Sequence, residues 1–208
     1  VAQYRDENAD FHQIVADMAN IPRKQAKTIN LGLSYGMGKE KLIKELGIDD
    51  TEAESLFQQY HANVPFIRAL QDQCARVAME RGYIKTFAGR HCRFNLWESR
   101  YERTLPLPLE EAKEKYGEDL KRSYTYKALN RLIQGSAADM TKLAMIGLWE
   151  EGIVPHLQVH DEVDISIENT EQANTVTRIM ENCVELAVPL LVDQELGASW
   201  GETKEIKT

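Results

Sequence analysis

Up to about residue 82, apolar and polar positions follow the period of amphipathic helices. In "ADFHQIVADMANI" the apolar stripe is Phe11, Ile14, Val15 and Met18. "PRKQAKTINLGLSYG" opens on Pro22, which suits a first helical turn, and Gly36 offers a C-terminal stop. "GKEKLIKELG" predicts a short helix ending at Gly47. "DDTEAESLFQQYHANV" has an N-cap signal ahead of a helical pattern, and "VPFIRALQDQCARVAMERGY" predicts a long helix stopped at Gly82. The period then shortens. "YIKTFAGRHCRF" alternates around Gly89 and predicts a hairpin. "NLWESRYERTLPLPLEEAKEKYGEDLK" is polar and proline-bearing. It reads as an inserted excursion, Trp97 to Lys121, mostly a solvated loop with a short helix at Leu109 to Tyr116. "RSYTYKALNRLIQGSAADMTKLAMIGLWEEG" is the longest helical pattern, with Gly135 in its middle. "VPHLQVH" and "EVDISIE" predict strands, "NTEQANTVTRIMENCVELA" a capped amphipathic helix, and "PLLVDQELGASW" a closing strand. The expected class is α+β: one largely helical subdomain and one built on an antiparallel sheet.

The 208 residues are 43% apolar, enough for one sizeable core or parts of two. No run of 18 apolar residues is present, so no membrane span is expected. The chain opens on Val1 without a signal-peptide pattern, which suggests a processed product or a fragment. Cys74, Cys92 and Cys183 are scattered and lack CxxC spacing, which fits a reducing compartment better than a disulfide framework or a zinc site. The formal charge of −8 argues against a polyanion partner, but its distribution changes that picture. Pro22 to Leu46 and Lys121 to Leu143 each carry a net +4, with acid concentrated elsewhere. Two basic islands on an acidic chain either meet a polyanion or are solvated helix faces.

Candidate chemistry falls on both sides of the change in period. Arg23, Lys27 and Leu31 are spaced i, i+4, i+8, a drift of about 40° per step around a helix, and Tyr35 continues the row. A stripe running from cations to an aromatic suits a ligand with phosphates at one end and a flat base at the other. The alternative is an amphipathic helix whose basic face is wet. "GMGKE" is not a P-loop, because Leu33 and Glu40 stand where the pattern requires Gly and Ser or Thr. In "VHDEV", Asp161 and Glu162 sit where a hairpin should turn. Such a pair is either ordinary turn chemistry or a place for a divalent cation.

Four stretches in order resemble the motifs of the family A DNA polymerases, the bacterial DNA polymerase I and phage replicative type. Arg23-x3-Lys27-x7-Tyr35-Gly36 resembles motif B on the family's O helix, and "LQVHDEV" resembles motif C. "LNRLIQGSAAD" is similar to the segment with the family's DNA-contacting Asn and Gln, and "GYIKTFAGRHCRF" to its "G-Y-x-x-T-x-x-G-R-R" hairpin. The resemblance implies helical fingers over 1–82 with the O-helix-like segment at 22–36. It implies a hairpin and inserted excursion over 83–121, of a phage-like kind, and part of a palm over 122–208 with the motif C hairpin. It implies that Arg23 and Lys27 grip the triphosphate of an incoming dNTP, with Lys27 also donating a proton to the departing pyrophosphate. His12, in "DFHQ", would approach the same triphosphate. Leu31 would face the sugar, Tyr35 would stack at the templating end, and Gly36 would leave room there. Asn130 and Gln134 would read the minor groove of primer–template DNA, with His160 near the primer end and Arg90 and Lys127 as further DNA contacts. Asp161, with Glu162 less directly involved, would bind Mg²⁺, two ions serving the complete enzyme. The setting implied is the cytoplasm of a bacterial cell, with bacterial or phage origin open.

Two departures qualify this. The family's motif A, with the other metal-binding Asp, is absent, so the chain resembles fingers plus the later palm. It is expected not to extend primers without an upstream segment, possibly carried on another chain. Position 31 is Leu where the family usually has Phe or Tyr. Without a hydroxyl there, dideoxynucleotides are expected to be rejected, as they are with Phe. Two other readings stand beside the polymerase: a DNA- or nucleotide-binding module without chemistry, and a metal-dependent phosphohydrolase using "HD" and His156.

Overall fold

The computed structural model describes residues 10–205 except Phe11, Ile14, Val15, Met18 to Asn20, Tyr35, Gly36 and Val64. The chain divides into two compact units, Asp10–Gly135 and the residues from Ser136 onward.

In the first unit, helices α1 (Arg23–Ser34), α2 (Lys39–Leu46), α3 (Asp50–Asn63) and α4 (Pro65–Arg81) follow one another. The sequence dictates their ends. Pro22, without an N–H to lose, precedes α1, and its carbonyl accepts from Ala26 N at 3.0 Å. Gly47 ends α2 in the left-handed region at φ 66, and its N–H returns to Ile43 O. Asp49 caps α3 by accepting from Glu52 N at 2.8 Å. Ala26, Ile29, Leu42, Ala53 and Tyr60 form one core between α1, α2 and α3. Tyr60 is fully buried, and its hydroxyl donates to Asn30 Oδ1 at 3.2 Å. Lys39 lies 3.1 Å from both Asp50 and Glu54, so α2 and α3 are also linked by charge. Part of the first basic island is therefore neutralised by α3.

Strands β1 (Tyr83–Lys85) and β2 (His91–Arg93) form the expected hairpin, with Gly89 at φ 89 in its loop. A second core joins it to α4: Cys74, Ala78, Ile84 and Phe94 with Ala128 and Leu129.

The stretch expected as a solvated loop is instead a small folded module. Strands β3 (Leu96–Ser99), β4 (Leu107–Pro108) and β5 (Leu120–Arg122) pair antiparallel in the order β4-β3-β5, and α5 (Leu109–Tyr116) completes the module. Pro108 lies on the edge strand β4, where a missing donor costs least. The Arg122 guanidinium stacks 4.3 Å over Trp97 and donates to Met79 O and Phe94 O. This side chain ties the module to α4 and to the end of the hairpin. Polar composition concealed this because strand pairing and the stacking of Arg122 on Trp97, rather than an apolar stripe, hold the module together.

The long helix also starts later than its pattern suggests. Tyr124 sits at φ 61, a single 3-10 turn covers Thr125–Lys127, and helix α6 runs Ala128–Glu150. In the second unit β6 (Leu157–Val159) and β7 (Glu162–Asp164) form a two-stranded ladder. Helix α7 (Thr170–Glu181) is capped by Asn169, whose side chain accepts from Gln172 N. The expected closing strand shrinks to β8 (Glu195–Leu196), paired with β9 (Lys204–Glu205). The class is α+β, with helices dominant and antiparallel ladders small.

Candidate active site

Helix α1 separates two faces. Ala26 and Ile29 are fully buried, while Arg23 and Lys27 are exposed on another side. Lys27 makes no ion pair or hydrogen bond among the described residues. Arg23 Nε donates to Asp10 Oδ2 at 2.7 Å. The other oxygen, Asp10 Oδ1, accepts from His12 N and Gln13 N, each at 3.0 Å. Asp10 thus caps the backbone at His12 and anchors Arg23 at once. The Arg23 guanidinium, with the Gln13 N–H, holds the Asp10 carboxyl below the usual carboxylate range. Among the described residues Arg23 is held through Nε alone, which leaves its two terminal amino groups the fork geometry that phosphate oxygens accept. The spacing of the motifs pointed to Arg23 and Lys27 but not to Asp10. His12 Nδ1 is buried and has no hydrogen-bond partner among the described residues. Leu31 lies within α1, while Tyr35 and Gly36 fall outside the described residues.

The second group surrounds the start of α6. Asn130 and Gln134 are one helical turn apart, Asn130 half-buried and Gln134 exposed. Arg90 Nη2 donates to Gly135 O at 2.7 Å, so this expected DNA contact also docks the hairpin onto α6. Gly135 makes that docking possible: a Cβ there would lie 2.9 Å from Thr86 Cγ2 and 3.3 Å from Cys92 Sγ. Lys127 is exposed and sits 4.8 Å over Tyr124 and 5.7 Å over Tyr126.

The acidic turn lies in the second unit. Val159 pairs with Glu162, so His160 and Asp161 alone make the turn between β6 and β7. His160 is at φ 56 and Asp161 is not at positive φ. A positive φ at only the first of two turn residues matches a II′ turn, where glycine ordinarily stands. Holding His160 there costs about 1–2 kcal/mol. Gln158 Nε2 donates across the turn to His160 O. Asp161 is exposed and makes no hydrogen bond or ion pair among the described residues. Glu162 Oε1 accepts from Trp200 Nε1 at 2.9 Å, a contact no local sequence signal announced. His156, considered as a phosphohydrolase ligand, is 3.0 Å from Ser166 Oγ.

Among the described residues no group of three or more His, Cys, Asp or Glu side chains is arranged to hold a metal. Asp161 and Glu162 therefore stand as an adjacent carboxylate pair. Such a pair fits Mg²⁺, which takes one or two carboxylates and fills its octahedron with water and substrate phosphate oxygens.

A family model described as "DNA polymerase family A" matches residues 3–202. The chain belongs to the family A DNA polymerases. This match covers both the Arg23–Lys27 helix and the Asp161 turn. A DNA-directed DNA polymerase of Pseudomonas phage M6 is 36% identical over 97% of this chain and 32% of its own length. The thermostable DNA polymerase I of Thermus aquaticus is 34% identical over 96% of this chain and 24% of its own. The polymerase domain of Pol1 from M. smegmatis, solved with DNA primer–template and dNTP, superposes with a TM-score of 0.67. It is 28% identical and covers 87% of this chain, which in turn spans 32% of that one. This family A chain thus spans a third or less of the length of these relatives. No helix among its described residues is long and apolar enough to cross a membrane.

Proposed function

We propose that the chain carries the fingers and the later palm of a DNA-directed DNA polymerase. That enzyme would transfer a nucleotidyl group from dNTP to a primer 3′-hydroxyl on a DNA template, in the cytoplasm of a bacterial cell. The observation that carries this is the family match across residues 3–202, which takes in a cationic helix face and an exposed acidic turn. In this reading 1–82 acts as fingers, 83–121 as the hairpin with its module, and 122–208 as palm.

Arg23 offers its terminal amino groups and Lys27 its ammonium to the triphosphate. Both stand on an exposed helix face where a polyanion can reach them. Lys27 also returns a proton to the departing pyrophosphate in this reading. His12 adds a donor near the same phosphates, Leu31 packs the sugar, and Tyr35 and Gly36 shape the templating end. Asn130 and Gln134 meet minor-groove acceptors shared by all correct pairs, which senses pairing geometry rather than sequence. Arg90, Lys127 and His160 bind the DNA backbone and the primer end. Asp161, assisted by Glu162, would hold Mg²⁺. When bound, the two ions would activate the attacking oxygen and neutralise charge on the leaving group. The other carboxylate that this needs would come from a further segment bearing motif A and the thumb.

The test is primer extension with Mg²⁺ and four dNTPs, on the chain alone and on the chain mixed with the segment encoded upstream. Each is run beside Asp161→Ala. We expect activity in the mixture, lost in the variant. Extension by Asp161→Ala at the unmodified rate would sink the assignment of the acidic turn.

A further inference from the structure

The hydrogen bond from Trp200 to Glu162 links the last part of the chain to the acidic turn. The indole is 55% exposed, so burial does not fix its position. Its backbone is fixed by polar contacts. Ser199 Oγ donates to Glu202 Oε2 at 3.0 Å, and Glu202 N donates to Ser199 O at 2.9 Å. Thr203 Oγ1 lies 2.8 Å from Glu195 Oε2 and 3.4 Å from Trp200 O. The β8–β9 ladder closes the same segment, with Leu196 opposite Lys204. At Gly197 a Cβ would lie 2.4 Å from Glu202 O and 2.8 Å from Thr203 Cα, so only glycine lets the arms approach this closely. The residues from Glu195 to Thr203 form a clamp that presents one indole N–H to one carboxylate.

We propose that Trp200 is a positioning residue for the acidic turn. It holds one oxygen of Glu162 and leaves the other, together with the Asp161 carboxylate, open to a divalent cation. The proposal rests on the polymerase reading above. Glu162 follows Asp161 directly, and an untethered glutamate would sample many rotamers beside a like charge. An N–H donated to a carboxylate is charge-assisted and directional. Indole is also a neutral donor, with no acceptor of its own. It orients the carboxylate without cancelling the negative charge that draws the cation, as an Arg or Lys in its place would. Partners of this kind around a metal-binding carboxylate set its orientation and thereby the affinity for the ion.

The contact is read first in the chain itself. The sequence has three tryptophans, so a ¹⁵N spectrum carries three indole N–H resonances, and Trp200→Phe identifies the one of interest. Glu162→Ala should move that resonance and leave those of Trp97 and Trp149 in place. Function is read in the extending mixture. Trp200→Phe keeps an aromatic ring and removes the donor. It should raise the Mg²⁺ concentration for half-maximal extension about tenfold, with the rate at saturating Mg²⁺ little changed. That increase should vanish when Glu162 is already Ala. A Trp200 resonance indifferent to Glu162→Ala overturns the proposal. So does an Mg²⁺ requirement unchanged in Trp200→Phe, or one raised equally with and without Glu162, which would mark a purely structural role. Asp161→Ala separates the two readings. If that variant extends primers at full rate, the polymerase assignment of the turn has failed. If it is inert while Trp200→Phe keeps the unmodified Mg²⁺ requirement, only the present proposal has failed.

Discussion

Arg23 illustrates how a residue legible from spacing acquires its geometry from one that was not. The i, i+4 pair on α1 marked Arg23 and Lys27 as a cationic stripe, but the carboxylate that fixes Arg23 comes from Asp10, ahead of the helix. Because the Asp10 carboxyl titrates below its ordinary value, the stability it contributes is present above the unfolded-state value. That contribution is lost only as pH falls through the lower folded value. The link is therefore intact across neutral pH and sensitive to salt rather than to mild acid. We expect Arg23→Ala to raise the Asp10 titration midpoint, followed by carboxyl ¹³C shifts, and to raise the KM for dNTP about tenfold. An unmoved midpoint would mean that the pair does not form in solution. At the turn, backbone strain and chemistry oppose each other. His160→Gly should stabilise the fold by about 1 kcal/mol in thermal melts by relieving the positive φ. If His160 contacts the primer end as proposed, the same change should reduce primer extension by removing that contact. At position 31, Leu31→Tyr should increase dideoxynucleotide incorporation relative to the unchanged chain, because it supplies the hydroxyl that Leu lacks. Equal selectivity in the two proteins would refute that role.

At the scale of elements, the helices were readable because their ends carry local chemistry: Pro22, Asp49, Gly47 and Asn169 each act within a few residues of themselves. The strands were less readable because their partners are distant or their runs are short. β3 takes β5 as one partner across an intervening helix, and β8 is only two residues long. The fold of 96–122 depends on Arg122 crossing from β5 to Trp97, Met79 and Phe94, and no periodicity reports such a contact. The hairpin was located from "VHDEV" to within one residue: His160 and Asp161 make the turn and Glu162 already opens β7, because its backbone pairs with Val159. The tie of Glu162 to Trp200 was invisible for the same reason as the Arg122 contacts. Gly135 shows the two levels in conflict. As a glycine inside a helix it costs about 1 kcal/mol relative to Ala. A Cβ at this position would nevertheless meet Thr86 Cγ2 at 2.9 Å, and Thr86 is buried, β-branched and tied through Oγ1 to Arg90 N. Thr86 cannot yield without breaking that bond. We expect Gly135→Ala to destabilise the chain by about 1–3 kcal/mol despite its better helix propensity, read as a lower denaturant midpoint at unchanged slope. A stabilised variant would show that the hairpin docks more loosely on α6 than the close approach indicates.

For the whole molecule, the decisive observation is the apolar surface of the second unit. Ile146 and Trp149, one turn apart on α6, are exposed, as are Val154, Leu157 and Val159. All three residues of β6 face solvent, and β6 pairs with β7 alone among the described residues. Large exposed apolar side chains occur on both units; in the second they accompany an apolar strand with one free edge, which is a template for pairing. The chain spans 32% or less of its relatives' length, and under the function proposed above the occupant of this surface would be the further segment bearing motif A. A strand added at β6 would satisfy its backbone groups, cover Leu157 and Val159, and bring a further carboxylate toward Asp161. We expect the isolated chain to bind a hydrophobic dye and to scatter light increasingly with concentration. Adding the upstream segment should suppress both signals together and switch on primer extension at the same stoichiometry. Val159→Lys, which places a charge on that strand, should reduce self-association of the isolated chain while impairing assembly with the segment. A chain that stays monodisperse, binds no dye and extends primers unaided would remove the need for any partner at this surface. Suppression of dye binding without gain of extension would mean that the surface is covered while the acidic site still lacks its other carboxylate.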